Sequence, residues 1–197
     1  MYKLQLFTFI LFTLFFYDNV QAQELTFTVY QGEKELGNII ANKTIADEHT
    51  TYTIKSDVTF VVFKKYHRVS TLVATYHDGI LESASSTTHT NDKLEEQRIT
   101  FHDKEKYACT DMNEVSSCPE TAKIIFSSAN LYYNEPIDKK KVYSERFFTY
   151  ASIEDIGNHV YKITFGKGKV NYYKYKDGIL DSIEVQRLGF HLKFIRN

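Results

Sequence analysis

Apolar and polar residues alternate one by one through most of the chain after residue 24, and few folds tolerate that pattern. Leu25, Phe27 and Val29 alternate with Thr26, Thr28 and Tyr30. Tyr52, Ile54, Val58, Phe60 and Val62 fall on one side of a stretch whose other side carries Thr53, Lys55, Asp57 and Thr59. Later, Ile179, Ile183 and Val185 alternate with Ser182, Glu184 and Gln186, and Phe190, Leu192 and Phe194 alternate with His191 and Lys193. Successive side chains of a strand point to opposite faces, so period two marks strands with one face buried and one wet, as in antiparallel sheets. The 15 Tyr and 15 Phe, with many Thr, Val and Ile, suit a pleated surface.

Turn chemistry punctuates these runs. Asp78-Gly79 and Asp177-Gly178 are tight-hairpin dipeptides, because a type I′ turn needs the positive φ that glycine adopts without strain. Gly32 to Gly37 reads as a hairpin loop between the first two strands, and Gly166-Lys167-Gly168 as another near the end. Strands joined in this way make a meander, and a long meander escapes exposed edges by curling. The expected fold is mainly β, an antiparallel meander forming a barrel or half-barrel. One segment breaks the alternation. Pro119 and Glu120 suit a helix start, and Ala122, Ile125, Ala129 and Tyr132 share one helical face. This predicts one short helix over residues 119–133, packed on the barrel or plugging it.

The N-terminus differs from the rest. Lys3 precedes an uncharged apolar run from Leu4 to Tyr17, then polar residues lead to Val20 and Ala22, which fit the small pockets of a signal peptidase. The run is shorter than the roughly 20 apolar residues that cross a bilayer. Residues 1–22 are therefore expected to be a cleaved signal peptide and residues 23–197 a single antiparallel β domain without a transmembrane anchor. In an oxidising compartment, periplasmic or extracellular, Cys109 and Cys118 should pair. Their spacing, with no histidine nearby, suits neither a zinc site nor a C-x-x-C redox centre.

An internal echo is the most specific feature. Residues 76–83 read Tyr-His-Asp-Gly-Ile-Leu-Glu-Ser and residues 175–182 read Tyr-Lys-Asp-Gly-Ile-Leu-Asp-Ser. Either one hairpin solution is used twice, or the chain holds two related halves.

With FTVYQGEKELGNI near the start, these two hairpins, LYYNEP, VYSERF and GNHVYKI, the chain resembles an exported family of unknown function associated with Bacteroidota. It is similar in outline to envelope proteins with a curved antiparallel sheet around a helix, such as periplasmic lipoprotein carriers and lipocalin-like barrels. The resemblance covers roughly residues 25–195 and implies a fold and a compartment but no activity. The Cys109–Cys118 loop departs from that pattern as a local elaboration.

No chemistry announces itself. With 24 basic against 25 acidic residues, nothing argues for nucleic acid or an anionic membrane surface. No two of the seven histidines share a ligand spacing, there is no G-x-S-x-G elbow, and Ser144-Glu145-Arg146 reads as a surface ion pair. No catalytic residue, metal or cofactor is expected. The aromatic load points instead to an apolar pocket between sheet and helix, or simply to a filled barrel. The leading expectation is a non-enzymatic envelope module for an apolar or amphipathic ligand, lined by Phe27, Tyr52, Ile54, Phe60, Ile125 and Tyr132. Its rivals are a filled domain that binds an envelope protein, and a hydrolase or isomerase using histidines gathered by the fold.

Overall fold

In the computed structural model, which describes residues 20–61, 63–118, 123–187 and 190–197, the alternating runs become fourteen strands. They are β1 (Gln21–Gln31), β2 (Lys34–Ala46), β3 (His49–Val61), β4 (Lys65–His77), β5 (Ile80–Thr90), β6 (Lys93–Asp103), β7 (Lys106–Asp111), β8 (Glu114–Ser116), β9 (Lys141–Ser144), β10 (Thr149–Asp155), β11 (Val160–Phe165), β12 (Lys169–Lys176), β13 (Ile179–Arg187) and β14 (Phe190–Arg196). One sheet holds them all, in the order β8-β7-β6-β5-β4-β3-β2-β1-β14-β13-β12-β11-β10-β9. Neighbours pair antiparallel throughout, and the β1–β14 pairing (Val29 opposite Phe194) joins an eight-strand meander to a six-strand one. The sheet curls around an aromatic and aliphatic core without hydrogen bonds between its end strands, β8 and β9.

Both Asp-Gly hairpins form as the dipeptides require, with positive φ at Asp78 and Gly79 and again at Asp177 and Gly178. Each is followed by a bulge after two residues of the return strand, at Glu82 and at Asp181. The bulge re-aims the strand. It explains why Leu180, rather than the alternating Ile179, is fully buried beside Ile183. The first loop is tighter than its glycines suggested. The chain turns at Gly32-Glu33, and Gly37 lies inside β2 with φ +148°. A Cβ there would come within 2.0 Å of the Asp57 carbonyl on β3, so only glycine lets the two backbones approach. Near the other end, Gly166–Gly168 form a 3-10 turn between β11 and β12.

The expected helix is not formed in its described part. Residues 123–133 run through the concave side as irregular chain with a single 3-10 turn, Asn130–Tyr132. The backbone groups that a helix would satisfy internally find distant partners. Tyr143 of β9 donates its N–H to the Phe126 carbonyl at 3.0 Å and accepts the Ser128 N–H at 2.8 Å, which also caps the open edge of β9. The Ser127 N–H goes to Asn130 Oδ1 at 2.7 Å. Residues 119–122, with the expected helix start, lie outside the described residues, as do residues 1–19 of the expected signal peptide and Val62 of the third strand's apolar face. The expected cut after Ala22 falls behind the second residue of β1. No helix among the described residues is long and apolar enough to cross a membrane.

Cys109 of β7 and Cys118 are joined by a disulfide across 5.5 Å between Cα atoms. The bridge pins the start of the crossing segment to the sheet at the β8 end.

Candidate functional site

The crossing segment is held to the sheet by a buried polar cluster. Glu145, at the turn after β9, is 2% exposed. Its Oε1 accepts from Ser127 Oγ at 2.5 Å and from the Ala129 N–H at 3.2 Å. Its Oε2 accepts from the Ser128 hydroxyl and from the Ser128 N–H, the latter at 3.2 Å. Tyr76, the tyrosine of the first Asp-Gly hairpin, directs its hydroxyl at Ser127 Oγ and Asn130 Oδ1, each at 2.6 Å. Burial pushes the Glu145 carboxyl above its ordinary value, against the pull of these four donors. The surface ion pair expected of Ser144-Glu145-Arg146 is thus corrected. Ser144 and Glu145 are buried, and Arg146 turns away to Glu96, with Nη2 2.7 Å from its carboxylate. Ser127 is sealed off with no histidine in its hydrogen-bond network, so the cluster has the character of a clasp and not of a nucleophile with its base.

Above this clasp, between the two meanders, lies a cavity of about 340 Å³ open on one side. Its lining has two characters. Ile39, Ile54, Tyr132, Phe165, Tyr173 and Phe194 are among its apolar members, while Ser56, Ser70, Ser86 and Thr88 line the inner face of β3 to β5. Arg146, Phe147 and Lys169 also line it, with Ser128 and Ser144 beside the clasp. The registers explain the gradient. Tyr52, Ala74, Ala84 and Thr100 form one inward row; Ile54, Leu72, Ser86 and Arg98 form the next; Ser56, Ser70, Thr88 and Glu96 form a third. Polarity rises from row to row along the strands.

Of the six residues expected to line a pocket, the structure brings Ile54 and Tyr132 into this lining. Phe27 is fully buried behind Tyr132, its ring edge-on at 5.6 Å. Tyr52 lies deeper, between the rings of Tyr76 and Tyr133. Phe60 stacks on Tyr66 at 5.5 Å, outside the lining. Ile125 points away and is 62% exposed, because the helix that would have turned it inward is absent. Sequence reasoning missed the hydroxyl rows and both cations. The run Ser83-Ala84-Ser85-Ser86-Thr87-Thr88 was the available signal, being small and polar on both faces of one strand.

Two other places gather polar groups. A hollow of about 370 Å³ lies on the opposite face of β12 to β14, but both its carboxylates are engaged, Glu184 with Lys193 at 3.5 Å and Asp181 with Arg196 at 3.7 Å. At the hairpin tips, Glu48, His77 and Asp78 bring ligand atoms within 4.8 Å of one another. All three are exposed and His77 Nε2 is engaged with Glu48 at 3.0 Å, the arrangement of a surface pair. The described lining of the concave cavity holds no histidine, so a hydrolase or isomerase built on gathered histidines has no geometry there.

Residues 27–197 match the family model of a domain of unknown function, DUF6134. No curated protein matches the sequence. Among solved structures, the fold is similar to a β-barrel-like protein of a domain of unknown function, DUF1849, from Brucella abortus, with a TM-score of 0.53 at 9% identity over 89% of this chain and 95% of that one. At that identity the likeness is one of fold alone.

Proposed function

The chain belongs to the DUF6134 family, and we propose that it is a non-enzymatic binding protein of the cell envelope that holds a small amphipathic ligand in the concave cavity. The observation that carries this reading is the cavity's volume together with its two-sided lining. A volume of about 340 Å³ lies within the range of small-molecule sites, roughly 300–1,000 Å³. A barrel built only to be solid would fill this space with the large side chains used elsewhere in the core. Here small serine and threonine side chains stand in that place. Export is part of the proposal, supported by the apolar N-terminal run and by the Cys109–Cys118 disulfide.

The test is a titration with the neutral fluorophore N-phenyl-1-naphthylamine. The wild-type protein should enhance its emission saturably, and Ser86→Phe, which fills the cavity from β5, should abolish the enhancement while retaining a cooperative melt. A wild-type protein that leaves the fluorophore dark, or a filled variant that binds it equally well, removes the reading.

A second reading rests on one observation at the sheet's end. Val115 is 93% exposed on the three-residue edge strand β8, beside the disulfide. An exposed edge can recruit a strand from an envelope protein. Val115→Lys should then weaken capture of that partner and leave the fluorophore titration unchanged.

A further inference from the structure

Resting on the cavity reading above, we propose that the ligand is a single-chain amphipath with an oxyanion head, a carboxylate or phosphate, seated between Arg146 and Lys169 with its chain toward Ile54, Tyr132 and Phe194. The lining contains these two cations and no acidic side chain. Both flank one wall residue, with Arg146 Cζ 5.7 Å and Lys169 Nζ 5.0 Å from the centre of the Phe147 ring, which gathers the positive charge at one place.

The neighbouring acids Glu96 and Asp111 offset Arg146 and Arg98 and leave Lys169 and Arg68 without an ion pair among the described residues. Glu96 is shared between Arg146 at 2.7 Å and Arg98 at 3.4 Å, and Asp111 is taken by Arg98 at 3.1 Å. Arg68, two residues along β4 from Ser70, adds a third guanidinium near this end and forms no ion pair among the described residues. It feels Arg146 directly: burial first, and then the charge of Arg146, pull its pKa below the ordinary arginine value. Lys169 likewise forms no ion pair among the described residues, and the Arg146 Nε is buried without a hydrogen-bond partner. Cations drawn together and left short of acceptors favour an added anion.

The strand registers supply the rest of the match. Ser70 and Thr88 sit in the inward row that ends at Glu96, their hydroxyls 3.2 Å apart and able to donate to an oxyanion. Ile54 and Leu72 lie one row along from Ser56, Ser70 and Thr88, on the side away from Arg68, while Phe147 and Phe165 border the cations themselves. The head is therefore placed beside Ser70 and Thr88, with the chain running toward Ile54 and Tyr132.

The experiment competes decanoate, decyl phosphate and decanol against bound N-phenyl-1-naphthylamine on the full chain. Both anions should displace the fluorophore at about tenfold lower concentration than decanol. A preference for decanoate over decyl phosphate, or the reverse, assigns the head. Lys169→Gln should bring the anions to within about threefold of decanol, with an unchanged melting temperature since no carboxylate loses a partner. Raising salt from 0.05 to 0.5 M should weaken the anions alone. Decanol competing as well as the anions would overturn the head assignment and leave the cavity reading standing. Failure of the fluorophore itself to bind would overturn both.

Discussion

The two Asp-Gly hairpins are the same object built twice, yet they do different work. Each has a tyrosine before the turn, positive φ at both turn residues, a bulge at the acid after Ile-Leu, and a fully buried leucine (Leu81 and Leu180). Each also grips the crossing segment. The Leu81 N–H donates to the Ile124 carbonyl at 2.7 Å, and the Glu135 N–H donates to the Gly178 carbonyl at 3.0 Å. The difference lies in the tyrosines. The Tyr76 hydroxyl enters the network of Ser127, Asn130 and Glu145, whereas the Tyr175 hydroxyl ends on the Leu131 backbone carbonyl at 2.8 Å. The shared Tyr-x-Asp-Gly-Ile-Leu sequence fixes the hairpin; the partner across the sheet fixes whether its grip includes a titratable group.

The comparison breaks most visibly at Glu145. Glu145→Ala leaves two hydroxyls and two N–H groups without their acceptor and should cost about 3 kcal/mol or more in chemical denaturation. A loss below about 1 kcal/mol would show that the clasp does not hold the segment. Its pH dependence is also fixed in sign. The unfolded chain ionises Glu145 near 4.5, while the folded protein holds the proton to higher pH. The folded state therefore binds more protons above 4.5, and stability relative to Glu145→Gln should fall as pH rises through the raised value.

Next in size come the tyrosines. Tyr76→Phe removes the proton offered to two buried acceptors and should cost about 2 kcal/mol, against about 1 kcal/mol for Tyr175→Phe, by urea unfolding. Equal losses would mean that the polar network adds nothing to the first grip. Gly79→Ala and Gly178→Ala should then match each other, at about 1 kcal/mol each. Neither Cβ would meet an atom within 4 Å, so the cost is that of φ alone. The smallest effect is His77→Gln, which should leave stability unchanged. Wild-type His77 should titrate above its ordinary value by NMR, because Glu48 hydrogen-bonds its ring, and should lose that elevation in Glu48→Gln.

What could be read in the sequence was what short stretches determine by themselves. Alternation gave the strands, Asp-Gly gave the type I′ turns, and two cysteines gave the disulfide. The helix failed for the opposite reason. Pro119, Glu120 and the apolar spacing to Tyr132 are local signals, and they lost to partners as much as 110 residues away, Gln23, Tyr76 and Tyr143 among them. Glu145 was misread likewise, since a carboxylate beside an arginine looks like surface until the serines that enclose it are known. The cavity was half legible. Aromatic abundance pointed to Ile54 and Tyr132, but its polar end depends on how β3, β4, β5 and β6 align their small hydroxyl residues.

The crossing segment also divides the chain in two. It leaves the sheet at β8 and returns at β9 only after passing through the concave side. Strands β10 to β14 follow it in the chain and build the wall that encloses it. In chain order the strap lies between the first eight strands and the last six, β9 to β14. The two meanders on either side of it are joined by the last strand of the chain pairing with the first, so one ladder, β14 on β1, ties the walls around a strap that belongs to neither.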